Sequence, residues 1–267
     1  LLNIQGKFVI DPTYQQFINK NRFSNEIHTL SSNQTGENPT MKLKMKTLLA
    51  LVAFGATVAC ITPAQALEAE AAISANNAYV FRGATINDDI NVNPSASIDI
   101  YKGLTFGTWG NFNTDTSQFD EIDYTLGYEF DLGNGFSPGI TYIEYTYPGA
   151  EGDADREVLL TESTSIAGVG LDLLVGIGID GALEDGIYLE AKPQYSLPIA
   201  SDLGLDIGVT IGAELGDNFD DNGVSHVTLD TGTSYNGFDI GLAYVIETDD
   251  DVLPVDEDFI VTVGYVF

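Results

Sequence analysis

Three stretches of the chain share a two-residue rhythm, and the contrast between their two parities restricts the fold more than any other feature. In one, Leu171, Leu173, Val175, Ile177 and Ile179 alternate with Asp172, Leu174, Gly176, Gly178 and Asp180. In the second, Leu205, Ile207, Val209, Ile211, Ala213 and Leu215 oppose Gly204, Asp206, Gly208, Thr210, Gly212 and Glu214. In the third, Phe238, Ile240, Leu242, Tyr244 and Ile246 oppose Asp239, Gly241, Ala243 and Val245. A period of two assigns each set to one face of a strand. A soluble sandwich would bury the bulky face and show Lys, Thr and Ser on the other, and it gains nothing from glycines, which weaken pairing. A closed barrel in lipid uses both faces: large apolar side chains meet hydrocarbon, and small or polar ones fill the interior.

The punctuation between runs agrees. From Ala71 onward no stretch has a helical period, and short alternating runs are separated by Gly, Asn and Asp clusters. Strands are expected at 71–82, 90–101, 104–113, 119–130, 136–147, 157–168, 170–181, 186–197, 203–215, 223–235, 237–247 and 257–267. Tyr101-Lys102-Gly103, 131–135, Gly168-Val169-Gly170, Ser201-Asp202 and Asn236-Gly237 read as tight hairpin turns. Longer acidic links alternate with them, at 83–89, 114–118, 148–156, 182–185, 216–222 and 248–256. The expected fold is therefore all-β: a closed, antiparallel, up-and-down transmembrane barrel of about 12 strands, with tight turns on one rim and acidic loops on the other. None of the links reads as a plug. Unpaired edges are not tolerated in hydrocarbon, so the first and last strands must pair. The run "EDFIVTVGYVF", Glu257 to Phe267, is the expected closing strand, with Tyr265 and Phe267 at the interface.

Upstream, Lys42, Lys44 and Lys46 precede an uncharged run from Thr47 to Ile61 and the small-x-small triplet Ala64-Gln65-Ala66. This is the pattern of a secretory signal over 41–66, too short for a spanning helix. Cys60 lacks a leucine three places before it, which argues against a lipoprotein. Residues 1–40 are polar and non-periodic, an expected upstream extension or disordered arm, and 67–267 forms the barrel. Of 40 acids and 10 bases, this last part keeps 37 acids but only Arg82, Lys102, Arg156 and Lys192. Such a balance excludes a phosphate-binding, nucleic-acid surface. Without cysteine it holds no disulfide framework.

The segment Asn76 to Gly83, "NNAYVFRG", followed by "GLTFGTWGNF" at Gly103–Phe112 and "FDEIDYTLGYEF" at Phe119–Phe130, resembles the Gcw_chp family, whose members are often called outer-membrane porins (TorF-type). The resemblance is specific over 74–130 and rests on strand rhythm elsewhere. It implies the outer membrane of a Gram-negative-type bacterium and passage of solutes, with no assigned catalytic residues. A terminal aromatic likewise resembles the signal that such barrels present to barrel-insertion machinery. The implied partners are outer-membrane lipid, that machinery, and small ions or solutes.

Chemistry beyond passage finds little support in the residues. His226 adjoins Ser225, but neighbours on a regular strand face opposite sides, and no nucleophile motif surrounds them, so an enzyme is not expected. No cofactor is implied, and no Cys/His cluster suggests zinc or haem. Asp217, Asp220, Asp221, Asp249, Asp250 and Asp251 are weak calcium candidates whose spacing is not that of a calcium loop; the plainer reading is a solvated acidic rim. The expected lumen lining is Asp99, Asp123, Glu144, Asp172, Asp180, Glu190, Asp206, Glu214, Asp230 and Asp239, with Arg82 and Lys192 able to cross-link several of these acids. The resulting expectation is a passive, weakly cation-preferring porin for ions or small hydrophilic solutes. The alternative is a closed structural or adhesive barrel.

Overall fold

The structure, a computed structural model, describes residues 68–267 except 133–135, 150–152, 201–202, 217–221 and 249–257. The expected signal segment and arm, the turn at Ser201-Asp202 and all six calcium candidates lie outside the described residues. Fourteen strands are described. They are β1 (Ala69–Asn76), β2 (Tyr79–Phe81), β3 (Ala84–Asn87), β4 (Asn91–Tyr101), β5 (Leu104–Asn113), β6 (Gln118–Glu129) and β7 (Gly139–Thr146). The remainder are β8 (Asp155–Ile166), β9 (Val169–Asp180), β10 (Gly186–Ala200), β11 (Leu203–Gly216), β12 (Gly223–Tyr235), β13 (Phe238–Glu247) and β14 (Asp258–Val266).

Twelve of these close an antiparallel barrel in which each strand pairs with its neighbours in sequence, and β1 pairs with both β4 and β14. Closure runs from Ala72 opposite Val266 to Asn76 opposite Thr262, with the amide of Phe267 donating to the Ala71 carbonyl. The edges that hydrocarbon would penalise are thus removed.

Parity sets the two surfaces as the sequence implies. Ile207, Ile211, Leu242 and Val263 are exposed on the outer face, whereas Gly208, Gly212 and Val245 on the opposite parity are buried. The tight-turn rim carries an outward aromatic girdle of Tyr101, Tyr128, Phe130, Tyr195, Tyr235, Phe238 and Phe267. Within it, rings meet edge-on: Phe238 with Tyr265 at 4.7 Å and Tyr265 with Phe267 at 5.0 Å. Tyr244 and Phe259 are also outward, toward the acidic rim, and Tyr124 and Tyr142 are outward near the middle of the wall. The girdle at the tight-turn rim is the kind of aromatic belt found at a bilayer interface.

Three tight turns use a residue followed by glycine, both at positive φ: Lys102-Gly103 (36° and 85°), Ala167-Gly168 (54° and 86°) and Asn236-Gly237 (50° and 82°). This is the turn whose twist matches that of a hairpin. The second of them sits one residue earlier than the expected Gly168-Val169-Gly170.

The main departure from expectation concerns 71–82 and 83–89, read from sequence as the first strand and an acidic link. The wall strand ends at Asn76. The chain then bends inward, and β2 and β3 form a separate two-stranded sheet, with Tyr79 opposite Asn87 and Phe81 opposite Ala84. Its tip, Arg82-Gly83, is a fourth turn of the same kind, with φ of 47° and 88°. The hairpin lies inside the barrel, and Ala78, Tyr79, Phe81, Arg82 and Ala84 are all at most 4% exposed. A short link can plug the lumen because it doubles back at once instead of spanning.

The apolar core is therefore internal and confined to the acidic-rim half. Ala78, Val80 and Ala84 of the hairpin pack on Val245 and Ile260 of the wall. A second cluster joins Ile143, Tyr145, Leu159, Leu174 and Tyr188 to Leu183 of a short 3-10 turn, Gly181–Leu183.

Candidate functional site

The hairpin divides the lumen into two chemically different halves, and its tip is the centre of the candidate site. Asn77 anchors the inward bend to β14: its amide donates to the Phe259 carbonyl at 3.0 Å, and its oxygen accepts from the Val261 amide at 2.6 Å. On the return side, the Asn91 amide donates to Asn87 Oδ1 and to the Asp89 carbonyl, both at 2.8 Å, while Asn113 reaches Asp89 at 3.1 Å. Thr85 donates to Asp258. Between these anchors, Tyr79 donates to Glu121 at 3.1 Å and its ring lies 5.5 Å from that of Trp109.

Arg82 reaches across the lumen to β8. Its Nη2 is 2.6 Å from both oxygens of Glu157, whose Oε2 also accepts from the Tyr145 hydroxyl at 2.9 Å. The guanidinium lies over the rings of Phe81 and Tyr188, 4.6 and 4.2 Å from their centroids. Glu214, fully buried on β11, stands nearby with no hydrogen bond to either carboxylate oxygen, and Arg82 Nε likewise lacks a partner. Burial opposes the charge of Arg82, but the attraction of Glu157 and then Glu214 outweighs it and holds the guanidinium more firmly protonated than usual. The Tyr79 phenol is raised well above its ordinary value, by burial first and by Glu121 second, so it stays a neutral donor.

Arg82 also takes a left-handed backbone that costs a non-glycine residue about 1–2 kcal/mol. Two wall glycines make the seat. A Cβ on Gly176 would collide with Glu157 and come within 2.9 Å of Arg82 Nη2; one on Gly212 would collide with His226 and lie 2.7 Å from the Tyr188 hydroxyl. Below the tip is a cavity of about 60 Å³ lined by Arg82, Tyr188, Glu190, Lys192, Thr210, His226, Thr228 and Ile260.

The tight-turn half is more open, and four of its acids are held by hydroxyls across the β4–β5, β8–β9, β10–β11 and β12–β13 hairpins. Thr105 donates to Asp99 at 2.9 Å, Ser163 to Asp172 at 2.5 Å, Ser196 to Asp206 at 2.5 Å, and Ser234 to Asp239. Gln194 adds a second donor to Asp172 at 2.7 Å, and Lys192 lies 3.5 Å from Asp230.

Of the residues expected in the lumen, Asp99, Asp123, Asp172, Glu190, Lys192, Asp206, Glu214, Asp230 and Asp239 have inward parity. Asp123 and Glu214 are fully buried in the plugged half. Glu144 and Asp180 do not face the lumen. Glu144 shares the parity of exposed Tyr142 and pairs with Arg156 at 3.0 Å, and Arg156 also binds Asp180 on the next strand. Both parities of β7 are apolar, Ile140 and Tyr142 against Ile143 and Tyr145, so its sequence alone does not choose a face. Asp180 is displaced by a bulge opposite Arg156 and Glu157.

A second bulge corrects the expectation for His226. Opposite Gly212 and Ala213 the register shifts, both Ser225 and His226 are buried, and the Ser225 hydroxyl lies 3.1 Å from His226 Nδ1. The His226 ring stacks at 5° on Tyr188. The pair supports the hairpin tip, against which His226 packs at Gly83.

Sequence reasoning passed over Glu121, Asp155, Glu157, Tyr145 and Tyr188, all nearly fully buried around the hairpin. The available signal was Arg82-Gly83 itself, which repeats the residue-glycine pattern of Lys102-Gly103 and Asn236-Gly237 between two short apolar runs.

No curated protein sequence matches the chain. Among solved structures, an outer membrane channel from Pseudomonas putida F1 is similar at 11% identity and a TM-score of 0.47, covering 77% of this chain and 98% of that one. OmpF of Salmonella typhi in complex with daunomycin is similar at 11% identity and a TM-score of 0.40, over 75% and 97% of the two chains. LpxR from Salmonella typhimurium is similar at 10% identity and a TM-score of 0.40, over 74% and 99%. A family model described as "Bacterial protein of unknown function (Gcw_chp)" matches residues 61–259, well beyond the 74–130 stretch that carries the motifs, and the chain belongs to that family.

Proposed function

We propose that this barrel resides in the outer membrane of a Gram-negative-type bacterium and provides passive, weakly cation-preferring diffusion of ions or small hydrophilic solutes, without covalent chemistry. The observation that carries this reading is the set of inward carboxylates in the tight-turn half. Asp99, Asp172, Asp206, Asp230 and Asp239 leave Lys192 as the described base on that lumen wall. Charged rings in a low-dielectric wall concentrate counterions. Hydroxyl donors hold Asp99, Asp172, Asp206 and Asp239 in place, and Lys192 lies beside Asp230, so the field is preorganised. The test is Asp206→Asn with Asp239→Asn in the protein purified from membranes: the preference for potassium over chloride should fall while the barrel stays folded. An unchanged preference would remove the role of these acids.

A second reading, a closed structural or adhesive barrel, is favoured by the buried hairpin across the acidic half. Under it, the folded protein passes no current even when the hairpin is absent.

A further inference from the structure

We propose that the β2–β3 hairpin is an autoinhibitory plug, latched by Arg82, that must leave its seat for the lumen to open. The inference rests on the channel reading above and adds its gate. Three observations carry it.

The first is that the hairpin is separable from the wall. Its strands form a backbone ladder with each other and, among the described residues, with no wall strand, and the wall is complete without them, since β1 and β4 pair directly from Ala69 opposite Ile98 to Asn76 opposite Asn91. Withdrawal of the hairpin therefore breaks no barrel ladder. Both of its ends emerge at the acidic rim, where Asn77 and Asn91 mark the two bends.

The second is that the seat is specific. One guanidinium, presented by a tight turn, binds Glu157, feels the charge of Glu214 and lies over the rings of Phe81 and Tyr188. Gly176 leaves the space for it, and Gly212 leaves the space for the neighbouring His226 and Tyr188. The left-handed backbone is the one shared by the tight turns at Lys102, Ala167 and Asn236, so the specificity lies in the contacts of the guanidinium and in the missing side chain at Gly176.

The third is that the seat is incompletely satisfied. Arg82 Nε and both oxygens of Glu214 are buried without hydrogen bonds. Buried groups of this kind oppose the docked state, and water reaching them would favour release. The cavity beneath the tip, lined by Arg82, Lys192 and His226, is the space on the lumen side into which water can advance. Docking thus combines a strong ion pair with groups that hydration would relieve, the balance that a two-state element requires.

The experiment is a cross-link in the full chain. Thr85 and Asp258 touch across the hairpin–wall boundary. Thr85→Cys with Asp258→Cys, in a Cys60→Ala background that removes the chain's single native cysteine, permits a reversible lock. Oxidised barrels in planar bilayers should conduct at least about tenfold less than the same barrels after reductant. Replacement of Tyr79–Ile86 by a glycine-serine link should give a persistently open channel, and Arg82→Ala should approach it. Equal conductance in oxidised, reduced and hairpin-replaced proteins, at a measurable level, overturns the plug but leaves the channel. No current through folded, hairpin-replaced barrels overturns both.

Discussion

Arg82 Nη2 and the carboxylate of Glu157 meet at 2.6 Å with side chains 3% and 1% exposed, joining a turn in the lumen to a strand of the wall. Breaking one partner of such a buried pair typically costs about 3–5 kcal/mol, because the other charge is left unpaired. Here the hairpin can leave instead of the barrel unfolding. The chain's single tryptophan, Trp109, lies 5.5 Å from the ring of Tyr79, tilted by 44°, and reports the difference. Arg82→Ala should red-shift Trp109 emission without changing the barrel's resistance to heat in detergent. A lowered melting temperature with an unshifted emission would show that the pair holds the wall rather than the plug.

Glycine positions provide a test that leaves all charges in place. A Cβ at Gly176 would occupy the space of Glu157 and Arg82, whereas at Gly241 its nearest neighbour is Thr262 at 3.8 Å. Gly176→Val should reproduce the Trp109 shift, and Gly241→Ala should leave the spectrum unchanged. Equal effects at the two sites would contradict the seat described for Arg82.

The two faces of β11 should differ in what they touch. Nitroxides at Leu205→Cys, Ile207→Cys and Val209→Cys should contact lipid-soluble oxygen, and those at Asp206→Cys and Gly208→Cys should not. Equal water contact for both sets would contradict a membrane-spanning wall.

Arg156, bridging Glu144 and Asp180, belongs to the outer surface. Arg156→Gln should therefore leave both conductance and ion preference unchanged. A changed preference would return Glu144 and Asp180 to the lumen.

The strands and their inward parity were legible wherever one parity is bulky and the other is glycine or carboxylate, as along β11, because the two solvents of a barrel impose opposite demands on alternate residues. The rule weakened where both parities are apolar, and there Glu144 was misplaced. It failed where a bulge shifts the alternation, as at Asp180 and at Ser225–His226. The plug was hidden for a different reason. Ala78, Val80, Tyr79 and Phe81 alternate as a wall strand would, and nothing local distinguishes pairing with a neighbour in the wall from pairing with Ala84–Asn87 inside it. Only the Arg82-Gly83 turn marks the difference. The ion pair for Arg82 was anticipated as a type of contact, but its partner lies 75 residues away on another strand.

The measurement closest to the central claim is the reversal potential of the purified protein across a potassium chloride gradient in planar bilayers, read with the hairpin in place and with it replaced. Inward Asp99, Asp172, Asp206, Asp230 and Asp239 predict a potential of the sign that marks potassium as the more permeant ion, and a larger current once the hairpin is gone. A potential of the opposite sign, or silence from folded barrels lacking the hairpin, would contradict it.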